Sequence, residues 1–192
     1  GRGLVRAIAL LPWAVSEYAT AVAWRYMMSE TFGLFNSILL TLGIIESYMN
    51  MLTAGMALHW VSIAFAWRLA PLGAFFLLAG LQTVPEDLYR SAKVDGVGPA
   101  RRFWYITLPH LRYSIFIITV LVTMFTATAT DIIIVMTGGG PGIATETVTY
   151  LIFRETFKNL NLGYASAVSY ILIAMIMAMA AVYFLLLARR RR

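Results

Sequence analysis

Thr123, Thr126, Thr128, Thr130 and Asp131 stand together inside an otherwise apolar run, and they have the most to offer chemically. Thr123, Thr126 and Thr130 are spaced three and four apart, so a helix places them on one face while Thr128 points elsewhere. Such a face has two readings. Threonine hydroxyls in membrane helices commonly bond back to carbonyls of their own helix, or they line a path and match the hydroxyls of a solute such as a sugar. Asp131 adds a carboxylate that would cost about 2.5–3.5 kcal/mol at mid-bilayer, so it is expected to face a cavity or a partner. Glu17, after Pro12, and Arg68, just before Pro71, raise the same question. Arg68 could pair with Asp131 or Glu17, or lie nearer an interface. A titrating Asp131 or Glu17 would also suit an ion-coupled secondary transporter. Enzymatic chemistry has less support: no Ser/His pair, His-Glu-x-x-His sequence or acidic dyad is evident, so no catalytic residue is assigned. His59 reads as interfacial, because no second ligand stands at metal-binding spacing, and His110 as part of a loop end. No metal site is expected. Gly138-Gly139-Gly140-Pro141 has the glycine content of a phosphate cradle, but no Lys-Ser/Thr follows, so it reads as a turn closing a helix.

The elements that must position these residues are membrane spans. The chain has 192 residues, 60% hydrophobic and 12% charged, against roughly 45–50% and 25% in soluble domains. It contains no cysteine, which excludes disulfides and thiolate metal sites. The net charge of +6 is not spread as a nucleic-acid footprint. Four of the fifteen Lys and Arg form the tail Arg189–Arg192 and five lie between Arg90 and Arg112. That distribution flanks apolar spans, and no nucleic-acid-binding motif accompanies it, so no nucleic-acid partner is expected. About 20 apolar residues suffice to cross a bilayer. Four stretches qualify: Leu4–Met27, Met56–Leu81, Tyr113–Met136 and Tyr164–Leu187. Between the first two, Glu30, Asn36, Glu46 and Asn50 interrupt the apolar patches, which predicts a loop with a short interfacial helix; a fifth span is the alternative. The basic start "GRGLVRAIALLPW" lacks a signal-peptide cleavage site, so it reads as part of a span, and the start at Gly1 without methionine suggests a piece of a longer chain. No repeat or domain boundary is visible, and residues 1–192 are expected to form one transmembrane unit.

The positive-inside rule orients the spans. With four spans, residues 1–6, the loop 82–112 and the arginine tail fall on one side, the cytoplasmic one. The loop Ser29–Gly55, with two glutamates and no Lys or Arg, falls on the other. A fifth span would set the basic ends at odds. Inside the 82–112 loop, Thr83-Val84-Pro85-Glu86 has the form of a capping box with proline in the first turn. Leu88 and Ala92 share a face, Arg90 and Lys93 point away, and Asp95-Gly96 supplies a C-terminal cap. Gly98-Pro99 then turns the chain into a second short helix leading to Leu108-Pro109. An ordinary solvated surface loop is one reading of this segment; a short rigid helix docking in a partner's groove is the other.

The stretch "LYRSAKVDGVGPARRFWYITLPHL" resembles the Glu-Ala-Ala loop of permease subunits in binding-protein-dependent ABC importers. Arg90-Ser91-Ala92, Asp95-Gly96 and Ile106-Thr107-Leu108-Pro109 stand at the family's spacing, with Arg90 in place of the usual acidic residue and Ser91 in place of an alanine. "LLPWAVSEYATAVAWRYM", "WRLAPLGAFFLLAGLQTVPEDLY" and "TDIIIVMTGGGPGIATETVTYLIFRETF" are similar to the carbohydrate branch, near maltose and glycerol-3-phosphate permeases. The resemblance implies an all-α membrane protein, a polytopic helical bundle with about four spans here as the core of a six-span domain. It implies a non-catalytic subunit forming half the path of an ATP-driven importer of sugar or a related polyol or glycerol phosphate, in a bacterial inner membrane. Expected partners are a second permease subunit, cytoplasmic ATPase subunits, an extracytoplasmic solute-binding protein and the lipid bilayer. No cofactor is expected on this chain, ATP and Mg belonging to the ATPase. Glu86, Arg90, Ser91, Ala92, Asp95 and Gly96 become the coupling residues, and Thr123, Thr126, Thr130 and Asp131 the substrate path, with Thr130 where relatives carry an aromatic residue. The segment with Tyr150, Phe153 and Phe157 is expected along the outer surface, near the binding protein.

Overall fold

A computed structural model describes residues 2–189, with side chains from 8 to 185. The described residues form helices and loops without a strand. Three helical runs are long and apolar enough to cross a membrane: α4 (Ala57–Gln82), the continuous run Pro99–Thr128 and the final helix from Leu162. The first expected span is instead two helices, α1 (Arg2–Ala14) and α2 (Glu17–Met27). Ser16 divides them: its backbone is extended and its hydroxyl accepts from the Ala19 N–H (3.2 Å), an N-cap that starts a new helix inside an apolar sequence.

Loop 29–55 holds the expected short helix, α3 (Leu34–Thr41), which at 8 residues is far too short to span. Asn36, fully buried, closes this loop on itself. Its amide donates to the Ser29 and Met49 carbonyls (3.0 and 2.9 Å), and its Oδ1 accepts from Met49 N–H (3.2 Å).

After α4 come α5 (Glu86–Val94) and α6 (Pro99–Arg102), which passes through a wider π-type turn at Phe103–Thr107 into α7 (Leu108–Thr128). The expected separate return helix is therefore the base of the span. Its 30 residues reach roughly 45 Å at 1.5 Å per residue, against about 30 Å of hydrocarbon. The surplus holds Arg101 and Arg102, with Trp104 and Tyr105 exposed beside them, the aromatic and basic residues that settle at a membrane–water boundary. The third expected span, Tyr113–Met136, is likewise divided. α7 stops at Thr128, Ala129 is extended, and a short α8 (Asp131–Met136) follows. α9 (Val148–Phe153) continues through a π-type turn to Lys158, and α10 (Leu162–Arg189) ends the described chain. The arginine tail beyond it lies outside the described residues.

The core forms where α2, α4 and α8 meet, around Trp24, Met28, Phe65, Leu69, Ile132 and Met136. α4 packs on α7 at Gly80, where any Cβ would collide with Ser114 and Leu111. The larger side chains of α10 are mostly exposed, as expected of a surface that meets lipid or another subunit.

Candidate coupling helix and membrane path

α5 begins differently from the capping box expected for it. Thr83 closes α4, its hydroxyl donating to the Gly80 carbonyl (2.8 Å), and Pro85 stands at the N-cap without a side-chain bond. Because the Thr83 hydroxyl and N–H both donate to the Gly80 carbonyl of α4, the box does not form, and the Glu86 carboxylate turns to Arg90. Arg90 meets Glu86 at 3.0 Å and Asp87 at 3.8 Å, both one helical turn back. All three side chains are largely exposed, so each pair stabilises the helix by no more than about 0.3–0.5 kcal/mol. The charge order also suits the helix dipole, with Glu86 and Asp87 in the first turn and Lys93 in the last.

The other end is as expected. Gly96 takes φ +69°, its N–H donates to the Lys93 carbonyl (3.2 Å), and Val97 N–H donates to that of Ala92 (2.9 Å). These two bonds are a Schellman cap, which favours glycine at the left-handed position. The buried face differs from expectation: Leu88 is exposed, and Tyr89 and Ala92, three apart, turn inward. The reason is a partner 18 residues away. The Tyr89 hydroxyl shares a 2.8 Å hydrogen bond with Thr107, fastening α5 to the base of the α7 span. Ser91, Asp95 and the Arg90 guanidinium remain exposed.

The candidate path residues flank the α7–α8 break, and Glu17 stands at the α1–α2 break. The Thr123, Thr126 and Thr128 hydroxyls donate to the Thr119, Val122 and Met124 carbonyls (2.7, 2.8 and 3.1 Å) of their own helix, and that of Thr130 to the Thr128 carbonyl (3.2 Å). Thr123 also meets Tyr183 of α10 at 2.9 Å, whereas Thr126 borders an apolar groove of about 430 Å³ between α4 and α7. Each oxygen that has donated its proton still has lone pairs with which to accept one.

Asp131 is exposed at the first residue of α8. Glu17 and Arg68 form no direct ion pair. Arg68 Nε donates to the Val15 carbonyl at the α1–α2 break (3.1 Å), and Glu17 Oε1 accepts from the Ile132 N–H at the start of α8 (3.2 Å). At the other end of α8, Arg25 Nη1 donates to the Val135 carbonyl (2.9 Å). α2 therefore lies alongside α8 with an anion at its positive end and a cation at its negative end, the arrangement that a helix dipole favours.

The α9 segment completes this clamp. The Thr149 hydroxyl donates to the Ala129 carbonyl at the α7–α8 break (2.9 Å), and the Tyr150 hydroxyl donates to that of Gly138 beyond α8. Tyr150 is thus buried, while Phe157 is exposed. Arg154 bridges Glu146 (2.7 Å) and the buried Glu155 (3.3 Å) in the same segment. Glu17, Arg25, Asn36, Tyr89 and Thr149 all acquire their roles through partners distant in sequence, and no local motif marks those pairings.

Residues 2–192 match the family model described as the binding-protein-dependent transport system inner membrane component. The chain belongs to that family. It is 41% identical over 185 residues to a trehalose/maltose transport system permease protein, MalF, of Thermococcus litoralis, covering 95% of this chain and 61% of the relative. It is 36% identical over 191 residues to an sn-glycerol-3-phosphate transport system permease protein, UgpA, of Brucella suis biovar 1, covering 99% and 64%. The chain thus spans less than two thirds of the length of these relatives. Its fold matches the crystal structure of a bacterial ABC transporter involved in import of the acidic polysaccharide alginate, with TM-score 0.82 at 19% identity, over 98% of this chain and 66% of the other. The same transporter type in complex with an alginate pentasaccharide-bound periplasmic protein matches with TM-score 0.76 at 20% identity, over 95% and 63%. This family member is an all-α, multi-pass membrane chain.

Proposed function

We propose that this chain forms half of the translocation path of an ATP-driven importer for a sugar, polyol or glycerol phosphate and carries no catalytic site of its own. A second permease subunit supplies the other half. Cytoplasmic ATPase subunits, which bind ATP and Mg, drive it, and an extracytoplasmic solute-binding protein delivers the solute. The loop 82–112 and the arginine tail face the cytoplasm of a bacterial inner membrane, as the positive-inside rule requires.

The observation that carries this reading is the exposed, end-capped α5, fastened by Tyr89 to the base of a membrane-length helix. A partner that displaces α5 moves α7 with it, and α7 leads directly to the break before Asp131. Thr123 and Thr126 lie along the half of α7 farther from α5, Thr130 and Asp131 lie just beyond its end, and all four contribute acceptors to the path. Family membership does not favour the ion-coupled alternative, and Glu17 is committed to the Ile132 N–H.

Because the chain lacks cysteine, a single Ser91→Cys substitution tests the docking. A disulfide to a cysteine placed in the ATPase is expected. No crosslink at any ATPase position, together with freely replaceable charges at Glu86, Arg90 and Asp95, would overturn the coupling role.

A further inference from the structure

We propose that an open groove along α2 binds a neutral, hydroxyl-rich solute, one or two sugar rings in size, before it reaches the helix breaks. The solute class and the outward side rest on the import reading above; the groove itself does not.

α2 has two working faces. Glu17, Ala21 and Trp24 turn toward α8 and the core, whereas Tyr18, Val22, Arg25 and Tyr26, at helical spacing, line a cavity of about 770 Å³. That volume falls within the roughly 300–1,000 Å³ usual for small-molecule sites. Across the groove stand Glu30, Phe32 and Asn50 from the loop that Asn36 staples shut, and the Gly140–Pro141 turn closes one edge.

The lining suits a sugar. Tyr18, Tyr26 and Phe32 are exposed, and Tyr26 and Phe32 form a tilted pair with ring centroids 5.9 Å apart. Such rings present flat apolar faces to C–H surfaces, and the tyrosines add hydroxyls at their edges. Asn50 Oδ1 already accepts from the Leu52 N–H (2.8 Å), which leaves its amide nitrogen as a donor. One Arg25 nitrogen is held by Val135, and the single cation and single anion of the lining, Arg25 and Glu30, cancel in formal charge. The groove consequently has no net formal charge to favour a phosphate dianion. The α4–α7 groove is more apolar, walled by Val61, Phe65, Leu69 and Val122, with the hydroxyls of Ser62, Thr126 and Thr147 as its side-chain polar groups. Tyr18 follows Glu17 directly, so the inner end of the α2 groove reaches the level of the breaks.

The test uses the assembled importer in membranes, with a single cysteine at Ser29 of this chain labelled by a membrane-impermeant maleimide. Trehalose or maltose at ten times its Kd should slow labelling about tenfold. Glycerol 3-phosphate should leave the rate unchanged, and Tyr26→Ala in the Ser29→Cys background should remove the protection. A Tyr170→Cys control on the exposed side of α10 should not respond. Labelling indifferent to both neutral sugars, protection by glycerol 3-phosphate alone, or equal slowing at Tyr170→Cys would each overturn the assignment. Failure of the assembled importer to take up any solute would contradict the import reading instead, and the labelling rates would still decide the groove.

Discussion

Glu17 and Arg25 show how a charged residue can serve a structural purpose within a membrane segment. A buried N–H left without an acceptor costs about 1–3 kcal/mol, and Glu17 relieves Ile132 of that cost at the start of α8. Glu17→Ala should therefore lower the stability of the detergent-solubilised complex by about 1–3 kcal/mol. Glu17→Gln, which keeps an acceptor oxygen, should lose less. Thermal melts of the two variants check this, and equal melting temperatures for Glu17→Ala and the unaltered protein would refute the capping role. The presence of costly polar residues was legible from sequence, because Glu17, Arg68 and Asp131 interrupt apolar runs. Their partners were not: Glu17 meets a backbone amide 115 positions away, and Arg68 meets a carbonyl exposed only because the helix breaks at Ser16. Arg90 was marked by a charge at odds with the family pattern, and two neighbours on its own helix, Glu86 and Asp87, answer that charge.

Among the elements, α4, α10 and the capped end of α5 follow from hydropathy and from Gly96, since each depends on local composition or one backbone conformation. The divided spans do not. Mean hydropathy over about 20 residues is blind to a single extended residue, so α1–α2 and α7–α8 each read as one span. Local signals were nevertheless present in Ser16-Glu17 and Thr130-Asp131, a small hydroxyl residue followed by an acid, as at many helix starts. The buried face of α5 was assigned to Leu88 rather than Tyr89 because nothing local foretells the bond to Thr107. Packing between elements is most exacting at Gly80, where α7 occupies the space of a side chain. Gly80→Leu should separate α4 from α7 and lower the yield of folded, assembled complex, as measured by size-exclusion chromatography, whereas Gly98→Ala, in open space, should not. An unchanged elution profile for Gly80→Leu would contradict the close approach.

In the whole molecule, α2 and the α9 segment hold α8 on one side of the α7–α8 break, while α5 is tied to the base of α7 on the other. A transporter needs a bistable element, since access must alternate between the two sides of a membrane. Because α5 at the base of the α7 span is an exposed helix, we propose that ATP hydrolysed by a partner on the α5 side drives solute movement. The most direct measurement is accumulation of labelled sugar in proteoliposomes containing the complete importer and its binding protein, with ATP confined to one compartment. Accumulation should require ATP on the side where α5 projects, persist when ionophores collapse every ion gradient, and stop with a non-hydrolysable nucleotide. Uptake driven by a proton or sodium gradient without ATP, and abolished by Asp131→Asn, would contradict the account.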